Sequence, residues 1–251
     1  MITLGSLFSG IGGFELGLER ALGCKTIWQV EQNKWCQKVL RRHWPEAQLY
    51  DDVVGVGSHN LEPVDIICGG FPCQGVSNAG KKQGLEDDRS GLWWEMHRII
   101  SELRPKVAVL ENVSALLIRG GEDVFGSLAE IGYDAEWTIV SAQQFGAPHV
   151  RKRIFIVAYP NQERCRQTQH RRVNQIDNIS RRTEEIQQGR LSKYIRKKST
   201  YWQTTSAPSA ICGVDNGIPN RLDRLRGLGN AIVPQCSEYI GHCIKRSGLL
   251  C

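Results

Sequence analysis

The stretch Thr3-Leu4-Gly5-Ser6-Leu7-Phe8-Ser9-Gly10-Ile11-Gly12-Gly13-Phe14 decides the fold. Residues 3–8 form a short run of strand character. Ser9-Gly10-Ile11-Gly12-Gly13 follows, and then Phe14, Leu18 and Leu22 recur at helical spacing. A strand, a glycine-rich turn and a helix in that order open a βα unit. Glycines at a helix N-terminus let the backbone approach a ligand closely. Further strand-like runs lie at residues 26–30, 64–68, 106–110 and 153–158, and Leu92, Met96, Ile99, Ile100 and Leu103 form a second helical pattern. The alternation predicts an α/β fold with a doubly wound, mostly parallel sheet.

The 251 residues suit one or two domains, and 41% hydrophobic with 23% charged residues excludes a disordered or collagen-like chain. The apolar runs are too short to span a bilayer, and no basic leader or cleavage site precedes residue 3, so no signal peptide is expected. Nine cysteines without a CxxC pair fit reduced thiols and a cytoplasmic location. The histidines lack metal-ligand spacing to the cysteines, so no metal site is expected.

Charge is unevenly spread. Residues 1–158 hold 16 basic and 19 acidic side chains, whereas residues 159–251 hold 16 and 7. Residues 160–204 hold 11 against 4 and few large apolar side chains. This points to an acidic partner such as nucleic acid, or else to a solvated basic face. The expected division is a catalytic and cofactor-binding domain over 1–158, a small basic recognition region over 159–221, and a C-terminal segment over 222–251 that returns to the first. Ile232, Tyr239, Ile240, Cys243 and Ile244 suggest a helix in that last segment.

Ligands of open α/β sheets bind at the carboxyl ends of the strands, so the residues after each run matter most. Glu31 follows the second run about 20 residues past the glycines, where an acid can bind ribose hydroxyls. Glu15 breaks the dinucleotide fingerprint, and the two features also fit a tight turn beside a surface acid. Cys73 lies in Gly69-Gly70-Phe71-Pro72-Cys73-Gln74 after the third run, and Glu111 follows the fourth. A thiol and a carboxyl at one sheet edge can serve as nucleophile and general acid. Arg151 and Arg153 enter the last run in alternation and can hold a phosphate or a carboxyl. Gly75 to Lys82 mimics a phosphate-binding loop, but Lys82 cannot supply the hydroxyl that ligates Mg²⁺.

In order, Phe8-Ser9-Gly10-Ile11-Gly12-Gly13, Gly69 through Gln74, Glu111-Asn112-Val113, Gln144 through Arg153 (with His149 where a Gln is usual) and Gly229-Asn230-Ala231-Ile232-Val233-Pro234 resemble the motifs of the C5-cytosine DNA methyltransferase family. The resemblance covers residues 1–158 and about 217–240. It implies a Rossmann-like, S-adenosylmethionine-dependent methyltransferase fold. The cofactor would lie over Phe8, Gly10, Gly12 and Gly13, with Glu31 at the ribose, Asp52 near the adenine, and Pro72, Leu92 and Asn230 completing the pocket. Cys73 would attack C6 of a flipped-out cytosine, Glu111 would act at N3, and Arg151 and Arg153 would support the carboxyl and the base. Double-stranded DNA is the implied substrate and a companion restriction endonuclease an implied partner. A catalytically weak DNA-binding relative and an RNA-directed enzyme of the same architecture remain open alternatives.

Overall fold

The computed structural model describes residues 1–72, 91–161 and 227–250. Among them β1 (Thr3–Leu7), β2 (Lys25–Val30), β3 (Gln48–Tyr50), β4 (Ile66–Gly69), β5 (Val107–Val113), β6 (Tyr133–Ser141) and β7 (Lys152–Pro160) form one sheet in the order β3-β2-β1-β4-β5-β7-β6. The first five are parallel, while β7 runs antiparallel to β5 and to β6. β1 pairs with both β2 and β4, so the strand order reverses there. That reversal opens the crevice in which such sheets hold ligands.

Side chains alternate across each strand and so feed two cores. Leu7, Ile67, Ala108, Leu110, Ile154 and Ile156 face one side, with Met96, Ile99 and Ile100 of α3 (Gly91–Leu103) and Val124 and Leu128 of α4 (Gly121–Glu130). Leu4, Ile66, Cys68, Val107, Val109 and Phe155 face the other, with Phe14 and Leu18 of α1 (Gly13–Leu22) and Ile240 and Ile244 of α5 (Pro234–Ser247). Both faces are therefore covered, as a mostly parallel sheet requires. A further helix, α2 (Lys34–His43), joins β2 to β3; Asn33 caps it, its side chain accepting from the backbone N–H groups of Trp35 and Cys36.

α5 lies against α1 almost without separation. A methyl group at Gly17 would come within 2.0 Å of Ser237 Oγ, and one at Gly241 within 2.6 Å of Ala21 Cβ. Overpacking of this kind costs ~1–3 kcal/mol. Ser237 Oγ also donates to the Gly13 carbonyl at 3.2 Å.

Two strands lie outside the predicted runs. β3 is a three-residue edge strand, and β6, at the other edge, reads Tyr-Asp-Ala-Glu-Trp-Thr-Ile-Val-Ser with polar residues throughout. Edge strands meet water and need no continuous apolar run. Glu15, the residue that breaks the dinucleotide fingerprint, is completely buried beneath the turn. Its Oε1 accepts from Gln29 Nε2 at 3.1 Å, and burial pushes its pKa up.

Candidate active site

A cleft of about 620 Å³ opens at the carboxyl ends of β1, β2, β4 and β5. Phe8, Gly10, Glu31, Asp52, Pro72, Leu92 and Asn230 line it together with Glu111, Arg151 and Arg153. One cavity thus gathers ten of the thirteen expected residues. Cys73 lies outside the described residues, though its chain neighbour Pro72 lines the cleft. The loop from Gly75 to Lys82 and the basic stretch 162–204 also lie outside them.

At one end of the cleft, Phe8 and Gly10 carry the chain through left-handed conformations at φ 55° and 58°. A methyl at Gly10 would meet nothing within 4 Å, so the turn presents bare backbone to the cleft. The Gly10 N–H donates to Glu31 Oε2 at 2.7 Å, and Glu31 Oε1 accepts from the Asn33 N–H at 2.7 Å. One carboxylate thereby joins the first two βα turns. Each of its oxygens keeps a lone pair for a ligand hydroxyl. Asp52 is exposed, and its Oδ1 accepts from the Val54 N–H at 3.0 Å. Gly12 and Gly13 are not among the cleft's lining residues. Their bare α-carbons face the Trp44 ring and the Ile232 carbonyl, where a methyl would come within 2.2 and 2.1 Å. These two glycines make room for protein.

At the other end stands Glu111, within β5 rather than past it and only 8% exposed. Arg153 Nε pairs with its Oε1 at 2.8 Å. Burial drives the Glu111 pKa up to about 7, against the opposing pull of Arg153 and then Arg151. This pairing follows from strand direction. Because β7 is antiparallel, its amino end reaches the sheet edge where β5 ends, with Val113 opposite Arg153. A methyl at Gly70 would lie 2.7 Å from Glu111 Oε2, so a larger residue there would displace the carboxyl. Asn112 Nδ2 donates to the Phe71 carbonyl at 3.2 Å and steadies the turn that leads to Cys73.

Arg151 differs from Arg153. It sits before β7 at φ 30°, and its Nη1 and Nη2 donate to the Gly229 and Ala231 carbonyls, both at 2.7 Å. The guanidinium therefore grips the backbone on either side of Asn230. Gln144, within the same motif, caps a short helical turn by accepting from the Ser141 N–H at 2.8 Å. Asn33 and Gly70 have structural duties that the sequence reading did not assign. An Asn directly before a helix is a capping signal and marks Asn33, whereas Gly70 carries no such local mark. Among the described residues no group of three His, Cys, Asp or Glu side chains could hold a metal, and no helix is long and apolar enough to cross a membrane. The five described cysteines are buried, and none is in a disulfide.

Known proteins match this chain over much of the same region. The type II methyltransferase M1.ScrFI of Lactococcus lactis subsp. cremoris is 36% identical over 157 residues, covering 61% of this chain and 40% of that protein. The type II methyltransferase M.HhaI of Haemophilus parahaemolyticus is 33% identical over 159 residues, covering 62% and 48%. The chain spans about half the length, or less, of the curated relatives it matches. Among solved structures, a candidate DNA modification methyltransferase encoded within an E. coli prophage superposes with a TM-score of 0.54 at 28% identity, over 64% of this chain and 47% of that one. The Dnmt2 methyltransferase of S. pombe shares the fold with a TM-score of 0.54 at 21% identity, over 64% and 51%. The model of the C-5 cytosine-specific DNA methylases matches residues 2–213, and on that match the chain belongs to the C-5 cytosine-specific DNA methylase family.

Proposed function

We propose that this chain transfers a methyl group from S-adenosylmethionine to C5 of a cytosine in double-stranded DNA. The observation that carries this reading is the single cleft joining Glu31 and the Gly10 turn to the buried Glu111–Arg153 pair. The cofactor end fits a nucleoside. The turn at Gly10 offers bare backbone, Glu31 keeps lone pairs for ribose hydroxyls, and Asp52 and Leu92 line the adjoining walls. Phe8, Pro72 and Asn230 complete the pocket. When bound, S-adenosylmethionine supplies an electrophilic methyl group.

The chain's own residues prepare the base. A stacked cytosine hides C5 and C6, so the base must leave the duplex. Glu111, its pKa raised by burial to about 7 so that a large share of it is protonated near neutral pH, donates its proton to N3 and makes C6 electrophilic. The Cys73 thiolate bonds to C6, and the electron pair displaced from the C5–C6 double bond makes C5 nucleophilic. After methylation, water takes the C5 proton, the electron pair of that C–H bond restores the double bond and expels the Cys73 thiolate, and the N3 proton returns to Glu111. Arg153 orients the Glu111 carboxyl, and Arg151 supports it through charge while tethering the segment around Asn230.

Residues 1–158 and 222–251 supply this machinery, and the basic region 159–221 contacts DNA phosphates. The type II names of the relatives support a restriction–modification setting in the cytoplasm, with a companion restriction endonuclease. The test is transfer of a labelled methyl group to mixed-sequence duplex DNA, with RNA in parallel. Label at cytosine C5 in DNA is expected. Label in RNA alone, or in neither, would overturn the assignment. A 5-fluorocytosine duplex should trap an adduct that maps to Cys73; an adduct at any other residue would refute the nucleophile.

A further inference from the structure

The wall of the cleft formed by Asp52, Val53 and Val54 belongs to the irregular connection between β3 and β4. Asp52 and Val54 are exposed there, and Arg98 of α3 ties their stretch of the loop down. Arg98 Nη2 donates to the Val56 carbonyl at 2.8 Å and to the Val53 carbonyl at 3.3 Å. Its own helix holds the guanidinium in place. Glu95 accepts from Nε at 2.9 Å and from Nη2 at 2.6 Å, and Glu102 accepts from Nη1 at 2.9 Å. The other Glu102 oxygen accepts from the Ser58 N–H at 2.9 Å. From the loop side, Gly57 passes directly beneath the pair. A methyl there would come within 2.5 Å of Glu102 Oε2 and 2.9 Å of Arg98 Nη1. The same helix presents Leu92 to the cleft.

We propose that Arg98 is a positioning residue for the cofactor pocket, fixing the Asp52–Val54 wall to the helix that carries Leu92. This rests on reading that end of the cleft as the S-adenosylmethionine site. Arg98 acts through the wall and touches neither base nor cofactor. It sets where the wall stands, and so it acts on cofactor affinity and not on the chemical step. A surface ion pair alone would be worth little. A planar guanidinium that reaches two backbone carbonyls between two carboxylates is geometrically selective in a way that a lysine is not.

The experiment measures S-adenosylmethionine affinity by calorimetry, and KM and kcat for methyl transfer, in the full chain. Wild type is compared with Arg98→Met, Arg98→Lys, Gly57→Ala and the Arg98→Met/Gly57→Ala double variant. Arg98→Met should raise the cofactor Kd and KM about tenfold while kcat stays within about twofold. Arg98→Lys should recover part of the loss. Gly57→Ala, which pushes the same pair aside from the loop, should give a similar rise, and the double variant should be no worse than the more severe single one. Unchanged cofactor affinity in Arg98→Met and Gly57→Ala, additive effects in the double variant, or a fall in kcat matching the rise in KM would each overturn the proposal. Absence of cofactor binding by the folded wild-type chain would instead overturn the reading of the cleft on which it rests.

Discussion

The two ends of the cleft use a glutamate each, in opposite ways. Glu31 is partly exposed and accepts hydrogen bonds from two backbone N–H groups, and its oxygens keep lone pairs for hydroxyls. Glu111 is buried and, among the described residues, receives no backbone N–H and meets one ion-pairing side chain, Arg153; desolvation carries its pKa to about 7. On the proposed reading the same side chain serves as a binding group at one end and as an acid at the other. The surroundings decide which: backbone N–H groups and water stand around Glu31, whereas the buried strand end at Glu111 favours a carboxylic acid. A parallel contrast separates the two arginines. Arg153 addresses the acid, and Arg151 addresses the backbone around Asn230.

The sharpest way to break this contrast is at the chemical end. Cys73→Ala should abolish methyl transfer, and Glu111→Gln should lower kcat by ~10²–10⁴ fold, the usual contribution of general acid catalysis. Both should leave S-adenosylmethionine affinity within about twofold by calorimetry. A large loss of cofactor affinity in Glu111→Gln would mean that the ends are not separable.

The complementary change is Glu31→Ala, which should weaken cofactor binding by about 1–3 kcal/mol, the cost of removing a charged hydrogen-bond partner. Its kcat at saturating cofactor should hold. An unchanged calorimetric Kd would remove Glu31 from the ribose.

Arg151→Lys should have a smaller effect. A lysine cannot fork onto both the Gly229 and Ala231 carbonyls, so the tether around Asn230 loosens and cofactor KM rises about fivefold. If kcat falls and KM holds, Arg151 serves the base and not the tether.

The smallest effect is a displacement in pH. Glu111 acts as an acid only while protonated, so kcat should fall as pH rises through about 7. Arg153 pulls that value down, so Arg153→Met should move the falling limb to higher pH, while Glu111→Gln should remove it from the residual activity. Stability carries the same sign. Glu111 holds its proton more tightly in the folded chain than at its ordinary value of 4.5, so its contribution is full below about pH 4.5 and is lost as pH rises through about 7. Chemical denaturation across that window should show a slope in wild type that flattens in Glu111→Gln.

Much of the site is legible because each βα turn places its chemistry directly after an apolar run. Glu31, Pro72 and Glu111 follow runs whose burial is plain from their composition, and Gly10 sits in a turn that punctuates the chain locally. β3 and β6 are not legible in the same way, because at the sheet edges their side chains answer to water and carry no run of apolar residues. Gly10, Gly12 and Gly13 look alike in sequence but act differently. Gly10 faces the cleft, while the other two accommodate Trp44 and Ile232, neighbours that only folding supplies.

The sequence by itself determined the class of sheet, where its buried strands fall along the chain and the residues that follow them, because periodicity and local punctuation are properties of short segments. Tertiary structure decided the direction of β7, and through it the meeting of Arg153 with Glu111, residues 42 positions apart in the chain. It also decided that Arg151 reaches across 78 and 80 positions to Gly229 and Ala231, and that α5 settles on the glycines of α1. The acid strength of Glu111 belongs to this second group. A pKa depends on how much water is excluded and which charges stand nearby, and both are set by residues that the chain brings together only on folding.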